Sequence, residues 1–394
     1  MPTAGQRVVV ITGASSGIGR ESARLFAARG AAVVLAARGE PALHATAEEV
    51  TQAGGTALVV PTDVAVWAQV QHLGRAARER FGRIDVWVNN AAVSGYGELN
   101  TLPVEAIDRI LDVDLRGQVY GVKAVLPILR AQRHGTIIGV SSGLGVRAVP
   151  LMIPYCIAKS GVNALYEGLR LEERHAKSGV RVTVILPASV DTPFYDSAAS
   201  WMGVRPAPIP PVYQPRAVAE AIVFAADHPR RDIYVGAAAQ LAMLQRLSPA
   251  LTDRLLTAGG QVFARQQRNE PDRGQSNLTE PTPGNGAVDG GVVRFALPRS
   301  RWTRLVGFHP PWPGALLWPR LALWAGGWPV ADQPRSADDG ASCPPPVLPP
   351  ARRLGRPRPA GRHDRAAVRH IPPPGAALKH PVPGESRAGP RPAG

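Results

Sequence analysis

Apolar positions along the first 240 residues alternate between two spacings. Short β-branched runs read as strands over Arg7–Ile11, Ala32–Ala36, Thr56–Val60, Ile84–Val88, Thr136–Ser141, Val180–Ile185 and Asp232–Val235. Between them, apolar residues recur every three to four positions. This predicts helices over Gly17–Arg29, Pro41–Gln52, Val66–Phe81, Pro103–Arg130, Ile153–Ala176 and Gln214–Asp227. Continuously apolar strands are buried on both faces, as in a parallel sheet. Seven of them with helical crossovers predict an α/β fold with a doubly wound parallel sheet, whose ligands sit beyond the carboxyl ends of the strands. Residues 240–265 read as one further amphipathic helix.

Composition divides the chain. Residues 299–394 hold 20 of the 40 prolines, 5 of the 8 tryptophans and a net charge of +10 out of +15. The basic balance therefore belongs to the tail, and it gives no reason to expect nucleic-acid binding. The expected organisation is a folded domain over 1–265, a polar linker over 266–298 and a Pro/Arg-rich disordered tail over 299–394. The most apolar stretch, Leu305 to Val330, is broken by five prolines and Arg320, so no membrane span is expected. The start of the chain lacks the pattern of a signal peptide, and a cytoplasmic location is expected. Two distant cysteines, Cys156 and Cys343, suit a reducing compartment and exclude a zinc site built on cysteine pairs. The histidines show no metal-ligand spacing, and no metal is assigned.

The first strand runs into Thr12-Gly13-Ala14-Ser15-Ser16-Gly17-Ile18-Gly19 and then a helix. Gly13 permits a tight turn, Gly17 lets backbone approach a pyrophosphate, and Gly19 lets the helix pack against the strand. The phosphates would meet the helix N-terminus. No Gly-Lys-Ser/Thr closes the loop, which excludes a phosphate-loop kinase or ATPase.

This octet resembles that of the short-chain dehydrogenase/reductase superfamily, and further motifs follow in order. Asn89-Asn90-Ala91-Ala92 follows the fourth strand. Asp63, with Val64 beside it, follows the third, where the family contacts adenine. Ser142, Tyr155 and Lys159 stand at the family's catalytic spacing, and Pro187-Ala188-Ser189-Val190-Asp191-Thr192 is similar to its P-G-x-x-x-T run. The resemblance covers about residues 5–240. It implies a dinucleotide held by Gly13, Ser15, Ser16, Gly17, Ile18, Gly19, Asp63, Val64, Asn90, Ala91, Tyr155, Lys159, Pro187 and Thr192. It also implies a homodimer or homotetramer formed through the long helices around 103–130 and 153–176.

The second strand ends Ala36-Ala37-Arg38, with no carboxylate to repel a 2′-phosphate and a guanidinium able to pair with one. NADP(H) is therefore expected over NAD(H), with Arg38 and Ser15 as the discriminating groups. Tyr155 and Lys159, four apart, share a helix face. Tyr155 would act as general acid or base, Lys159 and an oxidised nicotinamide ring would both lower its pKa, Lys159 would also hold the nicotinamide ribose, and Ser142 would donate to the substrate oxygen. Asp114 stands where similar enzymes carry an Asn that helps hold a water behind the lysine. Here it would retain that relay while weakening the lysine's effect on Tyr155. Ala188 replaces a family Gly.

Residues 193–213 predict a lid containing Phe194, Tyr195, Trp201, Met202, Val204 and Ile209, facing Leu144, Val146, Val149, Leu151 and Met152. Such walls favour a small apolar alcohol or ketone. Cys156 reads as a core residue. The rival reading is a non-catalytic NADP(H)-binding sensor on the same fold.

Overall fold

The computed structural model describes residues 6–308. The elements run β1 (Val8–Thr12), α1 (Gly17–Ala27), β2 (Ala32–Ala37), α2 (Glu40–Gln52), β3 (Thr56–Pro61), α3 (Trp67–Phe81), β4 (Val86–Asn89), the short β5 (Gly95–Tyr96) and α4 (Val104–Leu111). A π-helical turn (Asp112–Arg116) leads into α5 (Gly117–Gln132), then β6 (Gly135–Val140), α6 (Ile153–His175) and β7 (Val180–Pro187). Next come α7 (Phe194–Ser197), β8 (Ala199–Ser200), β9 (Val204–Pro206), α8 (Pro215–Asp227) and β10 (Asp232–Val235). The described chain continues through α9 (Ala238–Leu247), α10 (Pro249–Thr257), α11 (Gln261–Arg265) and β11 (Gln267–Pro271).

Seven strands form one sheet in the order β10-β7-β6-β4-β1-β2-β3, and every pairing is parallel. Alternation along β1 explains the two layers. Val8 and Val10 enter one core with Trp87 and Ile137, beneath Leu73 of α3, Leu129 of α5 and Tyr166 of α6. Val9 and Ile11 enter the other with Phe26 of α1 and Ile222 of α8. Both faces are dry, which is why the strands read as unbroken apolar runs. The strand order reverses between β1 and β4, opening a crevice at their carboxyl ends.

A polar network crosses this core. Tyr166 Oη donates to Gln118 Oε1 at 2.7 Å and accepts from Asn89 Nδ2 at 2.8 Å. Gln118 Nε2 in turn donates to the carbonyls of Asn89 and Val140 at 3.3 Å each. Gly139 makes room for it, since a Cβ there would lie 2.1 Å from the Tyr166 ring. The carboxyl ends of β4 and β6, which carry the site, are thus fixed to α5 and α6.

Four regions differ from the sequence pattern. The helix expected over Pro103–Arg130 is divided by the π turn. Residues 240–265 form three helices, because Ser248 accepts from Leu251 N–H at 3.3 Å and caps α10, with Pro249 in its first turn. Residues 266–298, expected as a linker, begin with β11, which pairs antiparallel with β9, and then run back along the crevice. The first residues assigned to the tail are packed. Ser300 Oγ accepts from Gly236 N–H at 3.1 Å, Thr303 Oγ1 donates to the Tyr234 carbonyl at 3.0 Å, and Phe308 stacks on Phe224 at 4.3 Å. The disorder expected further on falls on residues 309–394, outside the described ones.

Candidate active site

The loop after β1 is shaped by its glycines and braced by β4. Gly13 has φ +67°, and a Cβ there would lie 2.8 Å from Ala91 Cα. A Cβ on Gly19 would lie 2.1 Å from the Gly13 carbonyl, so α1 can start here only with glycine. Asn90 Nδ2 donates to the carbonyls of Thr12 and Gly13 at 2.9 and 3.2 Å, while Thr12 Oγ1 accepts from the N–H of Asn90 and of Ala91. The side chain of Asn90 therefore braces the loop.

A cavity of about 460 Å³ runs from this loop across the crevice. Its walls include Gly13, Ser15, Ser16, Gly17, Ile18, Arg38, Asp63, Val64, Asn90 and Ala91 at one end. Ser142, Tyr155, Lys159, Pro187 and Thr192 line the other. Asp63 receives Arg109 Nη2 at 2.7 Å and the Ala65 N–H at 2.9 Å. Arg38 is already engaged, for its guanidinium donates to the carbonyls of Asn277, Leu278 and Thr279 at 2.5, 3.1 and 2.8 Å. A glycine-walled groove at a helix N-terminus, with polar groups along its length, fits an extended phosphate-bearing dinucleotide.

At the far end, Ser142 follows β6, and its Oγ accepts from Leu144 N–H at 3.1 Å, which leaves its own hydrogen to donate. Tyr155 and Lys159 lie on the first turns of α6. The Lys159 side chain is 1% exposed, and its ammonium donates to the Val140 carbonyl at 3.2 Å and lies 5.3 Å from the Tyr155 ring centre. Asp114, on the π turn, is fully buried. Its Oδ1 accepts from Val93 N–H at 2.8 Å, and its Oδ2 stands 3.5 Å from Lys159 Nζ, an ion-pair contact without a hydrogen bond.

The electrostatics depart from the expectation for Tyr155. Its phenol is held well above its ordinary value near 10, first by burial and next by the Asp114 carboxylate, while Ser142 pulls it down. Here desolvation and the neighbouring acid outweigh the lowering expected from the lysine. Asp114 itself is raised to about 6, because burial outweighs the attraction of Lys159 and the Val93 N–H.

Apolar walls close the Tyr155 end. Phe194 meets the Tyr155 ring edge-on at 5.7 Å. Leu144, Val149, Met152, Tyr195 and Ile209 join it, together with Tyr96, Leu241 and Leu256, which the sequence reading did not single out. Of the other lid residues, Trp201 packs over Gly95 and Gly97, and Met202 packs into the lid's own core. Cys156 is buried there, and burial pushes its thiol up.

The family model for short chain dehydrogenases matches residues 7–203. The chain belongs to the short-chain dehydrogenase family and is an NAD(P)-dependent oxidoreductase. An uncharacterized oxidoreductase of Bacillus subtilis (strain 168), YxnA, is 42% identical over 253 residues, covering 64% of this chain and 71% of the relative. One from Staphylococcus saprophyticus is 38% identical over 190 residues, covering 48% of this chain and 76% of the relative. Among solved structures, a short-chain dehydrogenase/reductase of Burkholderia phymatum in complex with NAD is similar with TM-score 0.57 and 30% identity, covering 62% of this chain and 95% of that one. An alcohol dehydrogenase of Thermococcus sibiricus complexed with 5-hydroxy-NADP is similar with TM-score 0.52 and 28% identity, covering 58% and 96%.

Proposed function

We propose that this chain interconverts a carbonyl and an alcohol on a small apolar substrate, with NADP(H) preferred to NAD(H). The observation that carries this reading is the set of Ser142, Tyr155 and Lys159 at the apolar end of one continuous groove that begins at the glycine-rich loop. When bound, the nicotinamide supplies or accepts hydride at the substrate carbon. Gly13, Ser15, Ser16, Gly17, Ile18, Gly19, Asp63 and Val64 would hold the adenosine and pyrophosphate portions, with Ala91, Lys159, Pro187 and Thr192 toward the nicotinamide.

Tyr155 gives a proton to the substrate oxygen during reduction and removes it during oxidation. Ser142 donates to the same oxygen as charge builds on it. Lys159 steadies the phenolate when it forms. Asp114 opposes it above pH 6, where its own carboxyl is ionised.

Asp114→Asn therefore has a signed effect. Above pH 6 it removes a negative charge facing Tyr155, and the apparent pKa of alcohol oxidation should fall by about one unit. Below pH 6 the two profiles should converge. Superimposable pH–rate profiles across the whole range would refute a role for the carboxylate.

The preference for NADP(H) rests on Arg38 and on the lack of an acid at the end of β2. Replacing Arg38 by Leu should reduce kcat/KM for NADPH at least about tenfold more than for NADH, the loss of one charge-assisted pair to phosphate. Equal losses for both would point to a purely structural Arg38. The general test is oxidation of NADPH and NADH by purified protein over a panel of apolar ketones and aldehydes. Tight NADPH binding without turnover would favour the sensor reading.

A homodimer or homotetramer built on α5 and α6 belongs to the same proposal. It is supported by exposed apolar residues there, Val119, Ile157 and Leu171. No helix among the described residues is long and apolar enough to cross a membrane.

A further inference from the structure

We propose that residues 277–292 strap the dinucleotide into its groove, and that Asn277 contributes a hydrogen bond to it. The inference rests on the cofactor reading above and assigns a new part of the chain to that site.

The segment is anchored on both banks of the crevice. At its start, Asn277 N–H donates to the Ser197 carbonyl of α7 at 2.8 Å. The carbonyls of residues 277–279 are gathered by Arg38 at the end of β2, and Arg109 Nε donates to the Leu278 carbonyl at 2.6 Å. Leu278 is buried in the main core. The chain then crosses the glycine-rich loop. Thr282 Oγ1 donates to Ser197 Oγ at 3.0 Å, Arg20 Nη1 donates to the Asn285 carbonyl at 2.5 Å, and Gly17 N–H donates to the Ala287 carbonyl at 2.8 Å. Gly286 has φ +66°, and a Cβ there would lie 2.3 Å from the Ser15 carbonyl. At the end, Val292 N–H donates to Asp191 Oδ1 at 3.0 Å, and Gly290 N–H donates to the Asp191 carbonyl at 3.2 Å.

Two observations distinguish a strap over the ligand from a plug in its place. The segment leaves the cavity of about 460 Å³ open, for Asn277, Pro281, Thr282 and Gly286 line it together with Gly13, Ile18 and Asp63. Where segment and cofactor would meet, the Ala287 carbonyl on Gly17 N–H and the 277–279 carbonyls on Arg38 would yield those donors to the phosphates. Second, Asn277 lines the cavity, and its buried Oδ1 has no hydrogen-bond partner. A buried acceptor of this kind calls for a donor, and a dinucleotide brings several in its ribose hydroxyls and its adenine and carboxamide N–H groups. Apart from the buried Leu278, the anchors are hydrogen bonds, most of them to backbone carbonyls, which open at lower cost than a packed core. Cofactor exchange then requires the strap to lift.

The test measures binding and exchange on the full chain, apart from turnover. Dissociation of NADPH is followed by its fluorescence in stopped flow, in wild type, Asn277→Ala and Gly286→Val. Hydrogen exchange of the wild type is followed with and without NADP+. Gly286→Val should speed dissociation at least tenfold. Asn277→Ala should raise Kd about fivefold for NADPH and NADH alike. NADP+ should slow exchange of the amides in 278–292 at least tenfold. The strap is overturned if both variants bind and release NADPH as wild type does. It is also overturned if Gly286→Val binds faster and tighter, or if NADP+ deprotects 278–292, since the segment then competes with the cofactor. The hydrogen-exchange arm needs no variant to fold. A wild type that binds neither dinucleotide would overturn the cofactor reading along with the strap, whereas the other adverse outcomes leave that reading intact.

Discussion

Tyr155→Phe should abolish measurable turnover while leaving dinucleotide affinity within about twofold. The variant keeps the ring that meets Phe194 edge-on and removes only the hydroxyl that Ser142 faces. A positioned general acid contributes about 10²–10⁴-fold, so kcat should fall by that factor with KM little changed. Steady-state rates with the best ketone of a panel, together with NADPH titration by fluorescence, make the check. Turnover retained within tenfold would place the proton source elsewhere.

Lys159→Met should be the most destabilising of the site substitutions. The ammonium faces the fully buried Asp114 carboxylate at 3.5 Å, and removing one partner of a buried pair costs about 3–5 kcal/mol. The loss should depend on pH with a definite sign. Asp114 already binds its proton more tightly in the folded chain, at about 6 against an ordinary 3.8, so its contribution is favourable in acid and is lost as pH rises through 6. Without Lys159 the folded value climbs higher. Urea midpoints of the variant should therefore be closer to wild type at pH 5 than at pH 8, and Asp114→Asn in the same chain should recover much of the difference. Equal deficits at both pH values would mean that the lysine's alkyl packing, and not its charge, is what the fold requires.

Much of this architecture is legible before any coordinates. The parallel sheet follows from β-branched runs such as Val8–Thr12, whose two faces enter two separate cores. Ser142, Tyr155 and Lys159 are recognisable because a strand end and an i, i+4 helix pair fix their relative positions. The rest is hidden for identifiable reasons. The π turn leaves no mark, since its apolar residues fit a regular helix nearly as well. The sign of the Tyr155 shift depends on burial and on Asp114, which stands 41 residues earlier in the chain and meets it only in the fold. The Asn89–Gln118–Tyr166 network joins residues up to 77 positions apart. The segment over the crevice reads as a linker in sequence because it binds through its carbonyls, which every residue has, and because its density of Gly and Pro resembles loop composition.

The π turn has a further consequence. Each such turn takes one more residue than the α turn it replaces, so Asp112–Arg116 amounts to a one-residue insertion between two helices that each keep their own packing face. Removing a residue there would let α4 and α5 merge into one regular helix and would swing the carboxylate about a quarter-turn away from the lysine. The acid beside Lys159 is therefore reachable by a length change as well as by a base change. Chains of this family that differ by one residue in this stretch should differ in the charge beside that lysine, even where their motifs are letter-for-letter the same.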